Sequence, residues 1–150
     1  MKAFLFCISM ILCISVSPFV QASDVVLTKF WGKAPIGSMT MAAAYGTIQN
    51  LSDEEISIVA VSSEMVDTVE IHTHKQDEAG VMRMRPMEKL IIPARSEIVL
   101  KPGADHFMLY GVHSEWIAGA TGHFKLMTET GTTLSTDVMI VKATDFNPYK

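Results

Sequence analysis

Cysteine is the first shortage. The 150 residues contain two, Cys7 and Cys13, too few for a disulfide-stapled miniprotein. Charge is sparse as well: charged residues make up 19%, and the net charge is −4. Neutralising phosphates needs a basic face, so this balance argues against nucleic acid as the main partner. The catalytic motifs are missing too. There is no Gly-x-Ser-x-Gly elbow, His-Glu-x-x-His helix, phosphate loop or dinucleotide fingerprint. Carboxylates are scattered and not paired in apolar settings. Side-chain hydrolysis and redox catalysis have no support, and a non-enzyme is expected. Internal repeats, low-complexity tracts and linkers are absent, and the length suits one domain. The apolar content of 49% excludes a disordered chain. What the sequence has in excess is methionine, with 11 residues.

The opening segment has one lysine, Lys2, and then an apolar run from Ala3 to Val16. It ends in Val20-Gln21-Ala22, a small-x-small cleavage pattern. Residues 1–22 therefore read as a secretory signal peptide, removed on export. The run is short for a span of about 20 residues, and no basic stop-transfer patch follows. Lipid attachment at Cys13 is not expected, because Met10-Ile11-Leu12 lacks a small residue before it. The mature domain, residues 23–150, then has no cysteine, so neither a disulfide nor a thiolate is available to it. It keeps Met39, Met41, Met65, Met82, Met84, Met87, Met108, Met127 and Met139.

Short alternating runs broken by turn residues predict an all-β sandwich or barrel. Strands are expected at 24–31, 42–49, 56–62, 68–74, 81–87, 97–101, 106–112, 122–129 and 135–141. A short helical turn is expected at Ser63–Val66. In the fourth run Val69, Ile71 and Thr73 share one face, and Glu70, His72 and His74 share the other. The polar stretch Lys75–Gly80 reads as the hairpin loop between the fourth and fifth runs. Asn50-Leu51-Ser52 matches a glycosylation sequon but reads better as a polar turn.

The chemistry rests on histidine beside methionine. In His106-Phe107-Met108 the i and i+2 side chains project to the same face of a strand. Met82-Arg83-Met84 repeats this geometry, and His72 shares a face with His74. If the fourth and fifth runs pair, His72, Met84, His106 and Met108 are candidates for one site. A thioether is soft and neutral and favours Cu(I) over Zn(II), Ca(II) or Mg(II), whereas imidazole accepts either copper oxidation state. Without a cysteine the mature domain cannot form a blue-copper centre, which needs a thiolate. The plainer reading is that methionine fills the core. By that reading the arginines of 81–87 point out and the methionines in, and Met39, Met41, Met65, Met127 and Met139 are core residues. His113 and His123 read as solvated or surface histidines.

On these residues the sequence resembles the periplasmic copper chaperone family PCu(A)C. That family carries a His, ten residues, a Met, twenty-one residues, and a His-x-Met. Twenty-one residues separate Met84 from His106 here, and His106-Phe107-Met108 supplies the last pair. Ala43-Ala44-Tyr45, Val69-Glu70-Ile71-His72, Val81-Met82-Arg83-Met84-Arg85 and Leu100-Lys101-Pro102-Gly103 extend the likeness across residues 24–142. The chain departs from the pattern in leaving eleven residues between His72 and Met84. That extra residue leaves Met82 and Met84 both open as the thioether. His74 stands where many members of the family carry methionine or another residue, which leaves it open as a spare ligand. Ala104-Asp105 stands where the family favours a second glycine.

The resemblance implies a cupredoxin-like antiparallel β-sandwich with Greek-key connections. It implies one copper, Cu(I) before Cu(II), held near the surface by His72, Met84, His106 and Met108. It further implies a monomeric periplasmic chaperone delivering copper to a copper-requiring partner such as the CuA centre of cytochrome c oxidase. Two other readings stand beside it: an exported β-sandwich interaction module without metal, and a copper enzyme or scavenger with an open coordination position.

Overall fold

The computed structural model describes residues 24–149, so the signal peptide and Cys13 lie outside the described residues. Ten strands follow in order: β1 (Val25–Lys33), β2 (Met41–Asn50), β3 (Ile56–Ser62), β4 (Val66–Gln76), β5 (Met82–Met87), β6 (Leu90–Ile92), β7 (Glu97–Leu100), β8 (His106–Val112), β9 (Thr121–Thr128) and β10 (Thr133–Val141). No helix among the described residues is long and apolar enough to cross a membrane. The pairing runs β5-β4-β8-β2-β1-β10-β9-β3-β6, with β7 also on β2. β8 pairs with Met41–Ala44 and β7 with Gly46–Gln49.

β1 joins the two halves of this path. Its register shifts between Thr28 and Trp31, and Lys29 sits there at φ 55°. The extra residue bends the strand. Before it, Val25–Thr28 pairs with β2; beyond it, Trp31–Lys33 pairs with β10 as well. The path thereby folds back, and the inward faces meet around Phe30, Phe107, Trp116 and Phe124, all buried. The Phe107 ring on β8 lies edge-on to Phe124 on β9 at 5.9 Å. Trp116 stacks on Phe124 at 5.8 Å and its indole N–H donates to the Lys33 carbonyl. A Cβ at Gly32 or Gly122 would stand 2.5 or 2.7 Å from the Trp116 ring, so these two strands carry glycine where the indole crosses them.

The all-β sandwich is as expected, with three local corrections. β1 and β10 run parallel, whereas an antiparallel sandwich was expected throughout. Parallel neighbours need a long connection, and here the whole domain separates the first strand from the last. Ser63–Val66 is no helix: Glu64 and Met65 make a tight turn, and Val66 already belongs to β4. β6 was not expected. It is three residues long and closely followed by Pro93, yet Leu90 and Ile92 are buried against β3.

Asn50 is 0% exposed. Its Nδ2 donates to the carbonyls of Glu54, Ile92 and Pro93, and its Oδ1 accepts from Ser52 N and Oγ. The sequon asparagine is thus a buried tie between the 51–55 turn and β6, with no amide presented to solvent.

Candidate metal centre

β8 puts Phe107 and Leu109 into the core, so alternation turns His106, Met108 and Tyr110 to the outer face. β4 does the same: Ile71 and Thr73 point inward, and Glu70, His72 and His74 point outward. Opposite residues of an antiparallel pair project together, so the registers show what meets on that outer face. His72 lies directly opposite His106, and Glu70 opposite Met108. On the other edge of β4, His74 lies opposite Met84, Gln76 opposite Met82 and His72 opposite Pro86. His72 is therefore the hub of the four expected residues. It faces His106 directly and has Met84 and Met108 as its diagonal neighbours on either side, within reach of long side chains.

The imidazoles are packed although they sit on the outer face. His72 is 6% exposed and His106 3%. Their rings lie 5.8 Å apart, and His106 is flanked by His74 at 5.2 Å and Tyr45 at 6.3 Å. Trp31 packs on Tyr45 at 4.5 Å and closes that side. Tyr110 lies 6.4 Å from His72. Burial, with the nearby Glu70 carboxylate next, raises the pKa of its hydroxyl above the ordinary value.

The hydrogen bonds define which nitrogens are free. His106 Nδ1 is 2.9 Å from the Ala104 carbonyl, and His74 Nδ1 is 3.2 Å from the same oxygen. A carbonyl only accepts, so both rings carry their proton on Nδ1 and leave the Nε2 lone pair uncommitted. His72 is held the other way round. Its Nε2 is 2.7 Å from Glu70 Oε2, which places the proton there and the lone pair on Nδ1. That Nδ1 is buried and has no hydrogen-bond partner. An unmet buried polar atom costs about 1–3 kcal/mol, and a metal ligand is one recognised reason to keep one. Orienting the ligand ring through its other nitrogen is the usual outer-shell arrangement at metal sites. Burial, with some repulsion from His74 and His72, holds the His106 pKa below its ordinary 6.5 and keeps that ring neutral.

The thioethers complete the donor inventory. Met84 is 44% exposed and Met82 56%, so the reading of these methionines as core is corrected. β5 is an edge strand exposed on both faces up to Pro86. Met39, Met41, Met127 and Met139 are exposed too, again against expectation. Val138 and Ile140 take the inward face of β10, and Phe124 and Leu126 that of β9, which turns the intervening methionines outward. Met65 does pack against the core. His113 and His123 stay at the surface, paired with Asp67 and Asp137. Three imidazoles, His72, His74 and His106, therefore gather on this face, with His106 between the other two. Two neutral imidazole lone pairs with flanking thioethers make a soft, uncharged donor set suited to a monovalent soft cation.

Three features of the centre were not read from the sequence: the Ala104 carbonyl, Glu70 as the partner of His72, and Tyr110 behind Glu70. A backbone acceptor leaves no mark in the sequence. Glu70 did carry a signal, since it shares the i, i+2 spacing with His72.

The fold is that of PCuAC domains, a cupredoxin-like β architecture. The copper-bound PCuAC domain from PmoF2 superposes with a TM-score of 0.67 at 19% identity, covering 79% of this chain and 93% of that one. The solution structure of CuI-DR1885 from Deinococcus radiodurans gives a TM-score of 0.59 at 27% identity, covering 79% of this chain and 80% of that one. In sequence, the "Putative lipoprotein Lxx21020" of Leifsonia xyli subsp. xyli is 28% identical over 131 residues, which cover 87% of this chain and 76% of the relative. The family described as "Putative lipoprotein LpqE-like" matches residues 25–140, and the chain belongs to this LpqE-like family.

Proposed function

We propose that this protein is an exported copper carrier that holds one Cu(I) through His72, Met84, His106 and Met108. The observation that carries this reading is the buried, partnerless Nδ1 of His72. His72 faces His106 directly, and the registers of β4 with β5 and β8 put both thioethers within its diagonal reach. The Cu(I) form of DR1885, 27% identical over most of both chains, supports the choice of metal and oxidation state. Thioethers neither lose protons nor form disulfides, so they serve in an oxidising compartment where thiolates would not persist.

The leader at 1–22 sends the chain to the periplasm, and the mature domain from Ser23 acts there as a monomer. All four donors are neutral when they bind, so copper with its donor set carries a single positive charge, with the Glu70 carboxylate beside it on His72. It passes this ion to a copper-requiring acceptor such as the CuA centre of cytochrome c oxidase, and the domain itself catalyses no reaction. The test is an anaerobic titration of residues 23–150 with Cu(I) against bicinchoninate, with Zn(II) as competitor. One Cu(I) per chain is expected, undisturbed by equimolar Zn(II). Comparable affinity for the two ions would remove methionine from the site, because thioether softness is what separates them.

A further inference from the structure

The two central imidazoles are almost completely buried, so an acceptor protein cannot reach their nitrogens directly. Copper exchanged by ligand substitution needs donors that are both exposed and close to the buried pair. His74 meets that description. Its ring is 5.2 Å from His106, closer than His72 is at 5.8 Å. It is half-buried, lies directly opposite exposed Met84, and has exposed Met82 as its diagonal neighbour. Its Nδ1 is engaged with the Ala104 carbonyl, the same oxygen that orients His106. The two rings thus point their Nε2 lone pairs from a common anchor. β5, which bears the two methionines, ends the pairing path, and no strand among the described residues covers its outer edge.

We propose that His74 and Met82 form an exchange station, a second donor pair that takes copper from the buried site and presents it at the β5 edge. This rests on the carrier reading above. In the resting protein copper stays with His72, His106 and their thioethers. During transfer, the His74 nitrogen and the Met82 sulfur replace buried donors one at a time, with Met84 common to both arrangements. The acceptor's ligands then displace His74 and Met82 at the surface. Copper remains Cu(I) throughout and no proton need move, since every donor is neutral and His74 keeps its proton on Nδ1. Histidine at 74 is therefore a kinetic device, and it accounts for a third imidazole beside a site that needs two.

The test is anaerobic stopped-flow transfer of Cu(I) from the loaded domain to bathocuproine disulfonate, together with equilibrium Cu(I) affinity. The proteins are wild type, His74→Leu, His74→Met and Met82→Leu. His74→Leu should slow transfer about tenfold, the effect of roughly 1.4 kcal/mol on the barrier, with affinity nearly unchanged. Met82→Leu should slow it in the same direction, and His74→Met should restore the rate, because a thioether can take the place of the imidazole as a neutral soft donor. A wild-type transfer rate in His74→Leu would overturn the proposal while leaving the carrier reading intact. So would a collapse of affinity in that variant, which would make His74 a resting ligand. A wild-type domain that takes up no Cu(I) would overturn both.

Discussion

His72→Leu should lower Cu(I) affinity by at least about 100-fold, since loss of an outer-shell partner alone costs about 10–100-fold. The same change should leave the metal-free protein as stable as wild type, or more stable by about 1 kcal/mol. The two effects have one cause. His72 Nδ1 is a buried acceptor with nothing to accept from, so leucine relieves a cost in the apo fold while removing the central donor. Glu70, the partner of Nε2, is half-exposed and returns to water. If His72 were an ordinary packed histidine, affinity would be indifferent to this substitution. His106 should behave as a ligand too, with a pH signature. Metal needs the neutral ring, so protons compete with Cu(I) as the pH falls through about 6.5, the ordinary imidazole value. Burial holds His106 below that value, so its share of the acid loss comes at lower pH. Affinity should be flat above neutrality and decline on acidification. Replacing His72 and His106 together by Met should flatten the decline, whereas replacing Met84 and Met108 by Leu should lower affinity and keep the slope. Competition titrations from about pH 5 to 8, the range around the imidazole pKa, separate these outcomes.

Phe107→Ala should destabilise the domain by about 3–5 kcal/mol, the usual result of deleting a fully buried aromatic ring. Phe107 lies between the two expected ligands of β8. It is completely buried, stacks on Phe30 at 6.3 Å and meets Phe124 at 5.9 Å. Its ring ties the site-bearing β8 to β1 and to β9 in the opposite layer. Losing it should also weaken Cu(I) binding, because His106 and Met108 are aimed by the residue between them. Phe107→Leu, which keeps most of the volume, should cost much less on both measures. Urea unfolding of the apo proteins reads the first effect, and Cu(I) competition the second. A Phe107→Ala variant with wild-type stability would mean that the layers are not joined through this ring.

Much of this was legible because β-structure writes its faces into the sequence at a period of two. Ile56–Ser62 and His106–Val112 match their expected bounds, since each is an apolar-rich run set between turn residues. The shared outer face of Glu70, His72 and His74 follows from the same period. Failures occur where a face is chosen by packing and not by pattern. Met127 and Met139 alternate with apolar neighbours, and only the demand of Leu126, Val138 and Ile140 for the interior turns them outward. β6 escaped because three residues are too few to show a period, and burial against β3 decides it. Register was invisible for a further reason. The Asp77 carboxylate fixes the hairpin by accepting from the backbone N–H groups of Ala79 and Val81. That turn sets His74, not His72, opposite Met84. Counting residues between His72 and Met84 could show that the loop was longer but not how the strands would slide.

The most direct measurement is X-ray absorption at the copper edge of the anaerobically loaded domain. An edge characteristic of Cu(I) is expected, with a first shell of two sulfur and two nitrogen scatterers and outer-shell scattering from two imidazole rings. Sulfur should vanish from the shell when Met84 and Met108 are both replaced by Leu. A wild-type shell of nitrogen and oxygen alone would contradict the soft-donor site, and with it the assignment of His72, Met84, His106 and Met108.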